Sequence, residues 1–99
     1  MNFIVFDTET VSLDKPYCYD LGYTVCSVTK ANSIPTIEKV GSYLIKEVWN
    51  NKPLFSLAFF ADNAYFYKNE LEKERMLLRS WKVACKELAR DIKNYNIEY

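Results

Sequence analysis

Apolar residues near the start of the chain form an uninterrupted run from Phe3 to Phe6, and acidic and polar residues follow it. A continuous apolar run of this kind is typical of a central strand that is covered on both faces. Segments 20–29 and 36–49 are rich in β-branched and aromatic residues and predict two further strands, with turn-forming residues at 30–35 between them. Because short connections favour antiparallel pairing, we expect a three-stranded antiparallel meander in the first half of the chain.

The second half of the chain has the pattern of helices. Pro53 suits the first turn of a short helix, which an irregular aromatic segment would follow. Residues 69–79 have leucines at helical spacing, and Ser80 predicts the N-cap of a helix over 81–95. The apolar residues of this last helix recur on one face: Trp81, Ala84, Cys85, Leu88, Ile92 and Tyr95. Beyond it, Ile97 has the pattern of the start of another strand.

This order of elements predicts an α/β (α+β) fold in one small domain over residues 1–99, with strands in 1–49 and helices in 50–99. The hydrophobic content of 49% is that of a globular protein. Thirteen basic residues balance thirteen acidic ones, so there is no net field that draws the chain to nucleic acid or to an anionic membrane. Any binding of nucleic acid must therefore come from a local site.

The cysteines and the longest apolar run indicate the cellular compartment in which the protein is expected. Cys18, Cys26 and Cys85 are odd in number and widely spaced, which favours reduced thiols in a cytoplasm over a disulfide framework or a zinc site. The aromatic and apolar run at 54–61 is far shorter than the ~20 residues that a helix needs to span a bilayer. We therefore expect a cytoplasmic protein.

Candidate chemistry lies where the first strand ends, at Asp7 and Glu9. Residues two apart in a strand point to the same side, so the two carboxylates converge there. Burying two unpaired carboxylates costs several kcal/mol per ion, and a divalent cation removes that penalty. Hard oxygen ligands of this kind suit Mg²⁺ or Mn²⁺. The alternative is that Asp7 and Glu9 are ordinary solvated acids that follow a strand.

The string "IVFDTET" resembles the first motif of the DEDD family of 3′–5′ exonucleases, the proofreading-type nucleases with a ribonuclease H-like fold. "YDLGYTVCSV" is similar to that family's second strand, and the aromatic segment around 55–67 resembles exonuclease-like proteins of phage origin. The resemblance implies that Asp7 and Glu9 are catalytic metal ligands. It also implies that Thr8 and Thr10 contact the terminal nucleotide of a single-stranded DNA or RNA 3′ end. The family hydrolyses the 3′-terminal phosphodiester with two metal ions about 3.5–4 Å apart.

The remaining motifs of that family are not found in the sequence. The second motif places an Asn two or three residues before an aromatic-Asp pair, and Asp20, Asp62 and Asp91 do not fit it. The third motif needs a His five residues before an Asp or a Tyr four before one, and the chain has no histidine. A general base typically contributes 10²–10⁴-fold to the rate. We therefore expect a truncated ribonuclease H-like fold, the N-terminal part of an exonuclease domain, with little or no activity alone.

Two other interpretations stay open. One is a degenerate, non-catalytic exonuclease-like module for binding or assembly, and the other is an unrelated α+β protein in which "DTET" is incidental. In both the exonuclease fragment and the non-catalytic module, the first strand would lack one neighbour. Its unpaired apolar edge predicts a homo-oligomer through strand addition or exchange.

The aromatic residues have two possible roles. Tyr17, Tyr19 and Tyr23 are suitable for stacking on bases, but packing against the sheet is favoured for them. Packing in the core is also favoured for the aromatic residues of the second half: Phe55, Phe59, Phe60, Tyr65, Phe66 and Tyr67.

Overall fold

The computed structural model describes residues 1–31, 34–58 and 60–97. Within these residues, four strands and four helices follow one another, with a 3₁₀ turn at Ala61–Asn63 before the third helix. The strands are β1 (Asn2–Thr10), β2 (Cys18–Ser27), β3 (Thr36–Ile45) and β4 (Leu77–Arg79). The helices are α1 (Lys46–Trp49), α2 (Lys52–Phe55), α3 (Ala64–Glu72) and α4 (Trp81–Asn94). The fold is thus a mixed α+β domain.

The four strands form one sheet in the order β1-β2-β3-β4. β1, β2 and β3 pair antiparallel, which confirms the predicted meander, and β4 pairs parallel to β3. β1, β3 and β4 therefore end, and β2 begins, at the same end of the sheet. This end is called the strand-end edge below.

Two boundaries differ from the sequence expectation. The third strand ends at Ile45, and helix α1 takes over the residues up to Trp49. The helix expected over 69–79 ends at Glu72, because Glu74 adopts a left-handed backbone conformation with φ 57° and stops it. The leucines that suggested a helix then belong to β4.

The prediction that both faces of β1 are covered is wrong, whereas the expected unpaired edge of this strand is found in the described residues. β1 lies at the edge of the sheet, and no other strand of the described residues pairs with its outer side. Val5 is 58% exposed and Phe6 is 62% exposed. The apolar run reflects only partial packing, since Ile4 contacts the core and the middle of the strand lies in water.

The core consists of two clusters, one on each face of the sheet. On one face, called the α4 face, helix α4 packs Ala84 and Leu88 against the buried side chains of β2 and β3. On the opposite face, the short helices pack an aromatic cluster against the strand-end edge, with Tyr19, Phe55 and Tyr67 at its centre. The rings in this cluster meet edge to face, the arrangement that their quadrupoles favour.

Helix α4 agrees closely with its prediction. The Ser80 side chain accepts a hydrogen bond from the Val83 N–H at 3.2 Å and caps the helix. Pro53 also occupies the first turn of α2, as predicted. α4 ends at Asn94, and the strand expected from Ile97 is not seen at that residue; residues 98–99 lie outside the described part of the chain.

Candidate metal and nucleotide site

Asp7 and Glu9 lie near the end of β1, at the strand-end edge. The register pairs Asp7 with Gly22 and Glu9 with Asp20. Asp7 is exposed and Glu9 is partly buried. Because the two residues are two apart in a regular strand, they share one face of the sheet, as the sequence predicted. This face, opposite the α4 face, is called the acid face.

Asp20 brings a third carboxylate to the acid face. It lies directly opposite Glu9 on β2, where Cβ atoms are typically about 4.5–5.5 Å apart. The Tyr67 hydroxyl donates a hydrogen bond to Asp20 Oδ2 at 3.0 Å. Partial burial raises the pKa of Asp20, and the negative charges of Glu9 and Asp7 raise it further against the opposing effect of that hydrogen bond.

Asp20 is not predicted as a site residue from the sequence, because it does not fit the second exonuclease motif. A different signal is present, since Asp20 is the first residue of the predicted second strand, close to where a hairpin would bring it beside the acids of the first strand. Which residue of the first strand lies opposite Asp20 depends on the conformation of the connecting loop at 11–17, and the strand pattern does not determine that conformation.

The acid face carries negative charge without a basic partner. The ion pairs in the described part of the chain are Lys39–Asp91, Arg75–Glu70 and Arg90–Glu87, so none of them involves the acids of this face. Within residues 1–31, 34–58 and 60–97, no three His, Cys, Asp or Glu side chains are close enough to form a ready metal-binding group.

The donor chemistry nevertheless fits a hard divalent cation. Mg²⁺ is usually held by one or two carboxylates and completes its coordination with water and substrate phosphate oxygens. Asp7 and Glu9 provide such a pair, open to solvent on one side. Asp20, which pairs with Glu9 in the strand register, is the candidate for a further oxygen ligand. Its Oδ2 atom accepts the hydrogen bond from Tyr67.

Thr8 and Thr10 do not share the surface of the acids. Thr8 pairs with Leu21 and therefore points to the α4 face, opposite to Asp7. The pairing then shifts between Glu9 and Thr10, where Tyr19 is the extra residue on β2, so Thr10 pairs with Cys18. Both threonines are exposed at the strand-end edge.

A shallow depression of about 290 Å³ crosses the sheet beside Asp7. Val5, Gly22 and Ser42 contribute to its lining. Gly22 lies opposite Asp7 and has no side chain, so the surface beside the carboxylate stays low. The depression leaves space for a ligand over the acid face next to Asp7.

The aromatic predictions are confirmed only in part. Tyr19 and Tyr23 are buried in the two core clusters, whereas Tyr17 is 57% exposed and does not pack as expected. In the second half, Phe55 and Tyr67 are buried, but Tyr65 and Phe66 are exposed, which contradicts a core role for those two. Phe59 lies outside the described residues.

The thiols also have defined surroundings. Cys18, Cys26 and Cys85 are free. Burial raises the pKa of Cys18 to about 11, so this thiol stays protonated at neutral pH.

Across the described residues, every helix is too short or too polar to cross a membrane.

No family model, curated protein or solved structure matches this chain. Its function must therefore be inferred from its own residues.

Proposed function

We propose that this chain forms part of a metal-dependent 3′–5′ exonuclease domain that acts on the 3′ end of single-stranded DNA or RNA. The observation that carries the proposal is the acid face, which Asp7, Glu9 and Asp20 share without an ion-pair partner among the described residues. A divalent cation would supply the missing positive charge. The antiparallel meander and the position of the acids at the end of β1 support the resemblance of "FDTET" to the first exonuclease motif.

In this proposal, Asp7 and Glu9 hold the cation, and Mg²⁺ or Mn²⁺ is the ion that suits their oxygens. When bound, such an ion polarises a phosphoryl oxygen and lowers the pKa of water. Asp20 increases the negative potential, and Tyr67 keeps its side chain in place through the buried hydroxyl. Thr8 and Thr10 remain the proposed contacts to the terminal nucleotide, reached from the α4 face of the same edge.

A ribonuclease H-like fold would add a parallel strand on the free side of β1, and the described residues contain none there. The second and third motifs of that family, which supply its other two carboxylates and its general base, are also not found in the sequence. Two or three carboxylates without a base give weak metal binding and slow chemistry. We therefore infer that the 99-residue chain has little nuclease activity on its own.

Metal binding is the direct test. Titration with MnCl₂ in a calorimeter should show weak saturable binding to the unmodified chain and none to Asp7→Asn or Glu9→Gln. Asp20→Asn should bind about tenfold more weakly, the effect expected of a group that supports the ligands. Glu72→Gln, which removes an exposed acid on α3, is the matched control. Equal binding by Asp7→Asn and Glu72→Gln would contradict the proposal.

A non-catalytic assembly module is the second candidate, and the free edge of β1 favours it. Met1 and Val28 exchange two backbone hydrogen bonds of 2.9 Å, so the odd-numbered residues of β1 bond to β2. Ile4, Phe6 and Thr8 consequently direct their N–H and C=O groups outward, which is a template for another strand.

The parent reading frame separates these two candidates. Codons beyond Tyr99 that encode Asn-x-x-aromatic-Asp, and then His or Tyr at the family spacing before an Asp, would support the exonuclease. A stop codon after Tyr99 would favour the assembly module.

A further inference from the structure

A second ligand-sized surface lies at the strand-end edge, on the α4 face. It is a groove of about 380 Å³, called the aromatic groove, between Tyr17 and Trp81. Tyr17 is 57% exposed and Trp81 is 45% exposed, whereas the floor residues Ile45 and Val48 are almost fully buried. Two large aromatic side chains are thus partly exposed to solvent above a buried apolar floor.

The backbone on both sides of the aromatic groove is anchored. The Tyr17 carbonyl accepts a hydrogen bond from the Val11 N–H at 3.0 Å. The Glu47 carboxylate accepts from the Trp81 N–H, at 2.9 Å to Oε2 and 3.3 Å to Oε1, and so joins α1 to the start of α4. The backbone that carries each ring is therefore held in place, which reduces the entropy that a ligand must overcome.

The lining selects a flat, uncharged ring that carries hydrogen-bond donors. The lining residues include no lysine or arginine, so a bare phosphate has no counterion in the groove. Glu47 adds a carboxylate at the rim, and its two oxygens have lone pairs beyond those that the Trp81 N–H uses. The exocyclic amino group of adenine or cytosine fits such an acceptor, and its ring fits between aromatic side chains.

The aromatic groove and the candidate site are linked by the pairing of β1 with β2 at the strand-end edge. Cys18 lines the groove and pairs with Thr10, the residue that follows Glu9. Thr8 points to this same face of the sheet. A nucleic-acid strand that passes over the strand-end edge would therefore meet the acids on one side and the two rings on the other.

We propose that the aromatic groove binds a nucleobase of the strand whose 3′ end lies at Asp7 and Glu9. This assignment rests on the proposed exonuclease function, and it adds a base-stacking subsite that the exonuclease motif does not include. Tyr17 and Trp81 supply the stacking surfaces, and Glu47 favours bases with an amino group.

The first experiment uses adenosine without metal, so it does not depend on the acid face. The chain has two tryptophans, so Trp49→Phe leaves Trp81 as the only tryptophan, which can be excited selectively over the tyrosines. Adenosine should quench Trp81 saturably, and uridine, which lacks the amino group, should bind more weakly. Tyr17→Ala should weaken adenosine binding roughly 5- to 150-fold, the range for loss of one stacked aromatic contact. Tyr17→Phe should bind like the unmodified chain, and so should Tyr65→Ala, which removes an exposed tyrosine on α3.

The second experiment uses a 3′-hydroxyl oligo(dA) with MnCl₂ and compares Tyr17→Ala with Asp7→Asn. Weaker binding in both variants supports the subsite. Weaker binding in Asp7→Asn alone overturns the subsite and leaves the exonuclease proposal standing. Adenosine binding that depends on Tyr17, with oligonucleotide binding indifferent to Asp7, overturns the placement at a 3′ end. Absence of adenosine quenching, or capture of a proline-rich peptide in its place, overturns the nucleobase assignment itself.

Discussion

The buried carboxylate of Asp91 links helix α4 to the sheet. Removal of its cationic partner, Lys39, should destabilise the fold more than removal of the negative charge of Asp91 itself. Asp91 is 2% exposed. It accepts a hydrogen bond of 2.5 Å from the Tyr23 hydroxyl, and Lys39 Nζ lies 2.7 Å from each of its two oxygens. Burial alone would raise the pKa of Asp91, but the bonds from Lys39 and Tyr23 hold that pKa below its ordinary value.

The two substitutions differ in what they leave behind. Lys39→Met leaves a buried anion with one hydrogen bond, and removal of one partner of a buried ion pair costs 3–5 kcal/mol. The Lys39 side chain is 31% exposed, so solvent already screens the pair and about 2–4 kcal/mol is expected. Asp91→Asn keeps an acceptor for Tyr23 and leaves an ammonium that reaches water, for about 1–2 kcal/mol.

Urea unfolding followed by circular dichroism over a range of pH measures both free energies. Because the folded-state pKa of Asp91 is lowered from 3.8, its stabilising effect is present above that pH and is lost as the pH falls through the folded value. In Lys39→Met, burial without the ammonium should instead raise this pKa, so the defect should shrink between about pH 7 and about pH 4. The double variant should recover part of the loss, because no charge then remains buried.

A Lys39→Met variant that is no less stable than Asp91→Asn at neutral pH would refute this reasoning. So would a Lys39→Met defect that is independent of pH, because the cost would then not come from an uncompensated carboxylate.

Three further outcomes are expected. Gly41→Ala should cost about 1–3 kcal/mol in urea unfolding, because an added Cβ would lie 2.4 Å from the Tyr23 ring; Gly22→Ala, where the nearest atom is 3.9 Å away, should cost much less. Ser80→Ala should cost about 0.5–2 kcal/mol through loss of the helix cap, and Ser80→Asp should restore most of it; equal stability of the two variants would argue against the cap. Phe6→Lys should abolish self-association in sedimentation at tens of micromolar without unfolding the chain, because Phe6 is 62% exposed at the free edge; an unmodified chain that is only monomeric would exclude the oligomer.

The parts of the fold that sequence predicted are those that depend on local signals. Alternating and β-branched segments specify strands, short connections specify the meander, and Ser80 with the apolar spacing after it specifies α4. β4 lacks such a signal. It has only three residues. It forms a strand because tertiary pairing with Tyr43–Ile45 outweighs the helical pattern at Leu77 and Leu78.

Long-range partners explain the other misses. Asp91 is not one of the apolar residues that predict the buried face of α4, and it is buried because Lys39 and Tyr23, which are distant in sequence, bind its carboxylate. The pattern of one helix carries no information about a basic residue on a strand. Asp20 is a similar case, because its position beside Glu9 is fixed by hairpin register and by the bulge at Tyr19.

The structure also changes the physical argument for a metal at the end of β1. The sequence argument assumed that Asp7 and Glu9 are the acids of a buried strand, for which repulsion and desolvation would demand a cation. At the exposed edge that demand is weaker, because water screens Asp7. The stronger demand comes from Asp20, which is half-buried, has a raised pKa and faces Glu9 without a basic partner among the described residues. A cation over the acid face would relieve the desolvation penalty of Asp20, a penalty that the exposed Asp7 largely avoids.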